Sequence, residues 1–192
     1  MEANKIQDWN RTTEAIYKNV LLFSIAGIVA SLFGMIPLMG WLAKPFNILV
    51  VAGYVAFYMR IKDLALLSDP NDSEAMNKLT KGVLLYLLGI ILGEIKVIGW
   101  IACPILYIIA FIFMLLAYNA LKKSETFAGR AGMNMLFIAM IIGLVGAIFA
   151  IIPLVGAIIA GILYIVEFVF VLLGWKKVTA DAAPAIEAPT AE

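Results

Sequence analysis

Histidine is absent from this chain, and cysteine occurs once, at Cys103. Without an imidazole there is no His-ligated metal site, no Ser-His-Asp triad and no Cys-His pair. A single thiol closes no disulfide within one chain, and Cys103 reads as a small apolar residue near a helix start. Charge is scarce too: 14% of residues are charged and the net charge is +1. A nucleic-acid-binding domain carries a concentrated basic face; here the basic residues are spread along the chain, so no nucleic-acid partner is expected. Also missing are a Gly-x-Ser-x-Gly elbow, a His-Glu-x-x-His zinc motif and a glycine loop followed by Lys. The chain is therefore expected not to be an enzyme and to hold no cofactor or metal.

What is abundant is apolar side chain. The chain is 64% hydrophobic with a mean hydropathy of +1.02, against about 45–50% apolar in soluble domains. That composition calls for a lipid solvent. About 20 mainly apolar residues cross a bilayer as helix, and six such stretches are predicted: 20–38, 41–59, 77–98, 100–121, 132–152 and 154–175. The third is the weakest, with an apolar centre only from Val83 to Gly93, and Lys78, Lys81 and Lys96 must snorkel from it to the interfaces. Asp72-Ser73-Glu74 offers its helix start. The fold class is thus an all-α integral membrane protein, in the cytoplasmic membrane if the source is bacterial.

All of the 14 Lys and Arg residues except Lys44 and Lys96 fall on one side of this pattern. They cluster at Lys5, Arg11 and Lys18, at Arg60, Lys62, Lys78 and Lys81, at Lys122, Lys123 and Arg130, and at Lys176 and Lys177. Cytoplasmic loops carry the excess of basic residues, so both termini and both longer loops are predicted cytoplasmic. The first nineteen residues carry Glu2, Lys5, Asp8, Arg11, Glu14 and Lys18, which is unlike a cleavable signal peptide.

Aligned on Gly40, Gly99 and Gly156, the chain superimposes on itself three times. Four residues earlier lies isoleucine in every copy: Ile36, Ile95 and Ile152. Three earlier lie Pro37, Lys96 and Pro153; just after come Trp41, Trp100 and Ala157. This register predicts three parallel helical hairpins, about 20–62, 79–121 and 136–177. Two spans per copy give every hairpin the same orientation, unlike the inverted repeats of many transporters. Small residues recur ten and six positions before each glycine: Ala30 and Gly34, Gly89 and Gly93, Gly146 and Ala150. They are expected to let helices approach closely, since packing rather than the hydrophobic effect joins helices in lipid. Pro37, Gly40, Trp41, Gly99, Trp100, Pro153 and Gly156 are expected at the outer turns and interface.

Outside the spans, residues 1–19 are expected to form an amphipathic cytoplasmic helix. Ile6, Trp9, Thr13, Ile16 and Val20 share one of its faces, which either lies in the interface or docks on the cytoplasmic loops. Residues 178–192, rich in Ala and Pro, are expected to be a disordered acidic tail.

One residue breaks the repeat with chemistry. Glu167 lies about 16 Å along its helix from Gly156 at 1.5 Å per residue, close to the middle of a core about 30 Å thick. An ionisable side chain at that depth is a functional candidate. No Lys or Arg lies level with it, so it is expected to be neutral and to face the interior, with Tyr164 one turn away on the same face. The reading that follows is a non-catalytic scaffold, assembly factor or accessory subunit. Its partners are the lipid bilayer and either further copies of itself or another membrane protein. The alternative is a small transporter or channel that uses Glu167.

Overall fold

The computed structural model describes residues 2–36, 40–93, 95–153 and 155–182. They form six α-helices: α1 Glu2–Met35, α2 Ala43–Leu67, α3 Ser73–Gly93, α4 Lys96–Leu121, α5 Arg130–Phe149 and α6 Val155–Ala182. There is no strand among the described residues. Each helix packs along the next in sequence, most extensively within the pairs α1–α2, α3–α4 and α5–α6, and α6 returns to pack on α1.

Five of the six helices are long and apolar enough to cross a membrane. By length and composition the chain is an all-helical protein with several candidate membrane spans. The exception is α2, not the third segment that looked weakest. At 25 residues α2 is long enough, but Pro45, Asn47, Arg60, Lys62 and Asp63 dilute its hydropathy.

The helices run further at the basic end than the apolar stretches predict. Residues 2–19 do form a helix, but it continues unbroken into the first apolar segment as the 34-residue α1. Nothing between Lys18 and Leu21 breaks a helix, because no Gly or Pro intervenes. Of the predicted apolar face, Trp9, Thr13, Ile16 and Val20 are buried. Trp9 meets Phe127 of the α4–α5 loop edge to face, with ring centroids 5.6 Å apart. At the other terminus the helix runs through Ala182, four residues past the expected start of the disordered tail at 178. Val178 is fully buried against Gly129 and Gly132, and Thr179 donates its hydroxyl to the Thr13 carbonyl at 3.2 Å. That packing outweighs the lower helix propensity of Val178, Thr179 and Asp181. Residues 183–192 lie outside the described residues.

The turns at the basic end are held by local chemistry. Ser68 ends α2 by returning both its N–H and its hydroxyl to the Leu64 carbonyl, at 3.0 and 2.8 Å. Asp69 then accepts from the Asn71 N–H at 2.9 Å, with Pro70 opening the short turn before α3. Thr126 of the next loop donates to the buried Asp72 at 2.8 Å, tying the two loops together.

At the opposite end the chain bends at Ile36, Ile95 and Ile152. Each donates its N–H to the carbonyl three residues back, of Phe33, Leu92 and Phe149 at 3.3, 3.0 and 2.9 Å. Their exposures agree as well, at 45%, 46% and 50%. The glycines aligned on in the sequence are not the turn apices in every copy. Gly40 precedes α2 in a short 3-10 turn, but Gly99 and Gly156 already lie within α4 and α6. Where Lys96 stands in place of proline the helix starts at that residue; Pro153 holds the residue before it out of helical geometry. Trp41 is exposed. Pro37 lies outside the described residues, as does the side chain of Trp100.

The buried core is concentrated at the basic end. It joins Ile16 and Phe23 of α1, Phe57 and Leu64 of α2, Met76 and Leu79 of α3, Met114 and Leu121 of α4, Leu136 of α5 and Trp175 of α6. At the other end Ile148, Ile151 and Val155 are exposed. The physical reason is the solvent. Helix ends that reach water gain from burying apolar surface, whereas in lipid only close packing holds helices together.

The exposures correct half of the expected packing residues. Gly89 is buried against the Tyr107 ring of α4 and Gly146 against the Tyr164 ring of α6, and Ala30 is half-buried. Gly34, Gly93 and Ala150, one turn further out, are exposed. A Cβ at Gly34 would meet nothing within 4 Å, and one at Gly93 only Cys103 Sγ at 3.6 Å. Gly89→Leu is therefore expected to lower stability by roughly 1–3 kcal/mol by overpacking. Gly34→Leu and Gly93→Leu should stay within about 0.5 kcal/mol of wild type. Thermal unfolding in detergent separates the two classes, and equal losses at Gly89 and Gly93 would refute this difference in packing.

Candidate functional site

Glu167 sits on α6 with its carboxyl against α5. A Cβ built on Gly143 would lie 2.6 Å from the Glu167 carboxyl carbon, so only a glycine leaves room for it. One turn away on both helices, Gly146 seats the Tyr164 ring, its Cβ position 3.0 Å from the ring edge. Glycines three apart on α5 thus receive two polar side chains three apart on α6. The period of the helix places both pairs on one seam.

Two further phenols converge from other helices. Tyr54 of α2 and Tyr86 of α3 lie with ring centroids 5.1 Å apart. Phe23 of α1 stacks on Tyr54 at 4.5 Å, and Tyr107 of α4 lies 5.2 Å from Tyr86. Tyr54, Tyr86 and Tyr164 all stand within electrostatic range of the Glu167 carboxyl. Among the described residues, no hydrogen bond or ion pair to that carboxyl is formed. Glu167 is half-buried.

Tyr54, Tyr86 and Gly143 were not singled out from sequence, though a signal existed. Counted from the aligned glycines, Tyr54, Tyr86 and Glu167 lie at similar distances along their helices, and so at similar depth. Tyr86 and Gly143 also occupy the same repeat position, thirteen residues before Gly99 and Gly156. Depth alone does not say that they face one another.

The remaining polar candidates do not join this cluster. Cys103 is buried and donates its thiol to the Gly89 carbonyl at 3.1 Å, pinning α4 to α3. Asn47 and Asn134 are exposed. Ser24 is fully buried with an unpartnered hydroxyl, and the indole N–H groups of Trp9 and Trp175 are unpartnered too. Glu94 and the Lys96 side chain lie outside the described residues. No group of three His, Cys, Asp or Glu side chains able to hold a metal occurs among the described residues.

No family model, curated protein or solved structure matches this chain. What the cluster can do chemically is limited by its membership. One carboxyl and three phenols can donate and accept hydrogen bonds and pass a proton, and they include no activated nucleophile beside a base.

Proposed function

We propose that this is a non-catalytic membrane protein, a scaffold, assembly factor or accessory subunit, that crosses the bilayer six times as three like-oriented hairpins with both termini cytoplasmic. The observation that carries the reading is the seat of Glu167. Its carboxyl is packed on the backbone of α5 at Gly143, where it fills the seam between two helices rather than standing as an open binding group. The matching bends and hydrogen bonds at Ile36, Ile95 and Ile152 support the three-hairpin repeat. So do the equivalent pairs Gly89–Tyr107 and Gly146–Tyr164. The basic end, knit together by its core, is the side that the positive-inside bias assigns to the cytoplasm.

A second reading, a small transporter or channel, is favoured by one observation: the phenols of Tyr54 and Tyr86 gather near Glu167 from separate helices. Glu167→Gln separates the two. Glutamine keeps the shape and can hydrogen-bond, but it exchanges no proton. On the scaffold reading the variant folds and inserts with wild-type melting, and wild-type vesicles show no proton or cation flux above empty liposomes. Wild-type flux that Glu167→Gln abolishes, in a protein that still folds, would replace the first reading with the second. Mass spectrometry of proteins retained through purification in mild detergent identifies the partner the scaffold reading requires.

A further inference from the structure

We propose that the groove between α1 and α2 at the basic end binds the phosphate headgroup of an anionic phospholipid. The proposal rests on the reading that both helices cross the bilayer.

The groove follows from small side chains on two antiparallel helices. Ala15 of α1 and Ala56 of α2 leave a gap that larger residues would fill. Two adjoining hollows result, of about 410 and 470 Å³, sharing Ala15, Arg60 and Asp63 in their walls. Their cations are Arg11, Lys18, Arg60 and Lys62, against Asp8 and Asp63. Two of these cations are already paired along their own helices, Lys18 with Glu14 at 2.7 Å and Arg60 with Asp63 at 3.2 Å. Both pairs are exposed, so a phosphate competes with them easily. Arg11 and Lys62 make no ion pair among the described residues. Lys62 Nζ instead stands 5.8 Å from the centre of the Tyr58 ring.

Depth and polarity favour a lipid over a free anion. Arg60 lies about 26 Å along α2 from Ala43 at 1.5 Å per residue, near the edge of a hydrocarbon core about 30 Å thick. That is headgroup level, where basic pockets between membrane helices take anionic lipid. Beside the cations the surface is apolar at Met59, next to Arg60 in the wall of the second hollow, and at Leu22, one turn past Lys18 on α1. Met59 is 61% exposed on α2 and Leu22 is 44% exposed on α1. A phosphate on the cations thus leaves its acyl chains against Met59 and Leu22, a surface that inorganic phosphate has no use for.

The test uses the full chain purified in detergent, with phosphatidylglycerol or phosphatidylcholine titrated in and bound lipid counted by native mass spectrometry. Wild type should prefer phosphatidylglycerol by roughly tenfold or more, given the usual contribution of each basic residue near an anionic surface. Arg60→Gln with Lys62→Gln should remove most of that preference, and Lys176→Gln with Lys177→Gln, at the end of α6, should keep it. Ala15→Phe fills the floor without changing charge and should remove it as well, which guards against a folding defect in the charge variant. Equal loss in the Lys176 and Lys177 variant would mean diffuse surface charge and overturn the site. Displacement of the lipid by excess inorganic phosphate would overturn the lipid in favour of a free anion. Retention in carbonate-washed membranes is read in parallel. A chain that washes out refutes the spanning arrangement, whereas a retained chain without lipid preference refutes the groove alone.

Discussion

Gly132→Leu is expected to prevent the protein from folding into a detergent-stable bundle. A Cβ on Gly132 would lie 2.5 Å from the carbonyl oxygen of Gly174 and 2.7 Å from the backbone nitrogen of Val178. Both obstacles are main chain of α6, so no rotamer change relieves them. Gly174 faces back, its own Cβ position 3.2 Å from the Gly132 carbonyl oxygen. The pair is where α5 and α6 cross with backbones in contact. Adding a methyl there costs about 1–3 kcal/mol by the usual overpacking range. The whole leucine side chain must push the helices apart and so exceeds it, against a total stability of about 5–15 kcal/mol. Gly132→Ala should therefore melt several degrees below wild type, and Gly132→Leu should elute aggregated on size exclusion. A Gly132→Leu protein with wild-type melting would mean that α5 and α6 do not cross here. Gly34→Leu, on the open side of the bundle, is the matched control.

Trp175→Ala is expected to be the most damaging truncation of a side chain, at about 3–5 kcal/mol. Trp175 is fully buried, in the core that joins the three helix pairs at the basic end. Its ring meets Phe57 of α2 edge to face at 5.4 Å, so its loss opens a cavity between α6 and α2. Its indole N–H has no partner, which gives the series a second arm. Trp175→Phe removes an unsatisfied donor and retains an aromatic ring, so it should cost far less than alanine. Thermal or chemical unfolding of the three proteins measures both steps. If phenylalanine proves as damaging as alanine, the N–H makes a hydrogen bond that its surroundings do not reveal.

Much of the architecture was legible along the chain. Helix length and apolar content are local properties, so all six helices and their order follow from runs such as Leu136–Phe149 and Val155–Leu173. The face of α1 carrying Trp9, Thr13, Ile16 and Val20 was legible too, because a 3.6-residue period is written in the sequence whatever the face meets. The register around Gly40, Gly99 and Gly156 pointed to three short connections, but the bends fall at Ile36, Ile95 and Ile152. The carboxyl of Glu167 announced itself by its rarity within an apolar run.

What lies across from each face was decided only in three dimensions. Gly89 and Gly93 read identically as small residues four apart, yet one seats the Tyr107 ring and the other is open. The reason is that a ring of α4 lies across from Gly89 and only the Cys103 thiol approaches Gly93, and which residue lies across from a given position has no local signature. Tyr54 and Tyr86 looked like ordinary span residues until the fold set their rings 5.1 Å apart from separate helices. Gly132 and Gly174 lie forty-two positions apart and gain meaning only at their crossing. The tail likewise read as disordered from composition, but Val178 found a pocket on Gly129 and Gly132 that extended α6 to Ala182. Period and composition specify each helix and its apolar face. The contacts between helices depend on crossing angle and shape complementarity, which belong to pairs of helices and not to either sequence alone.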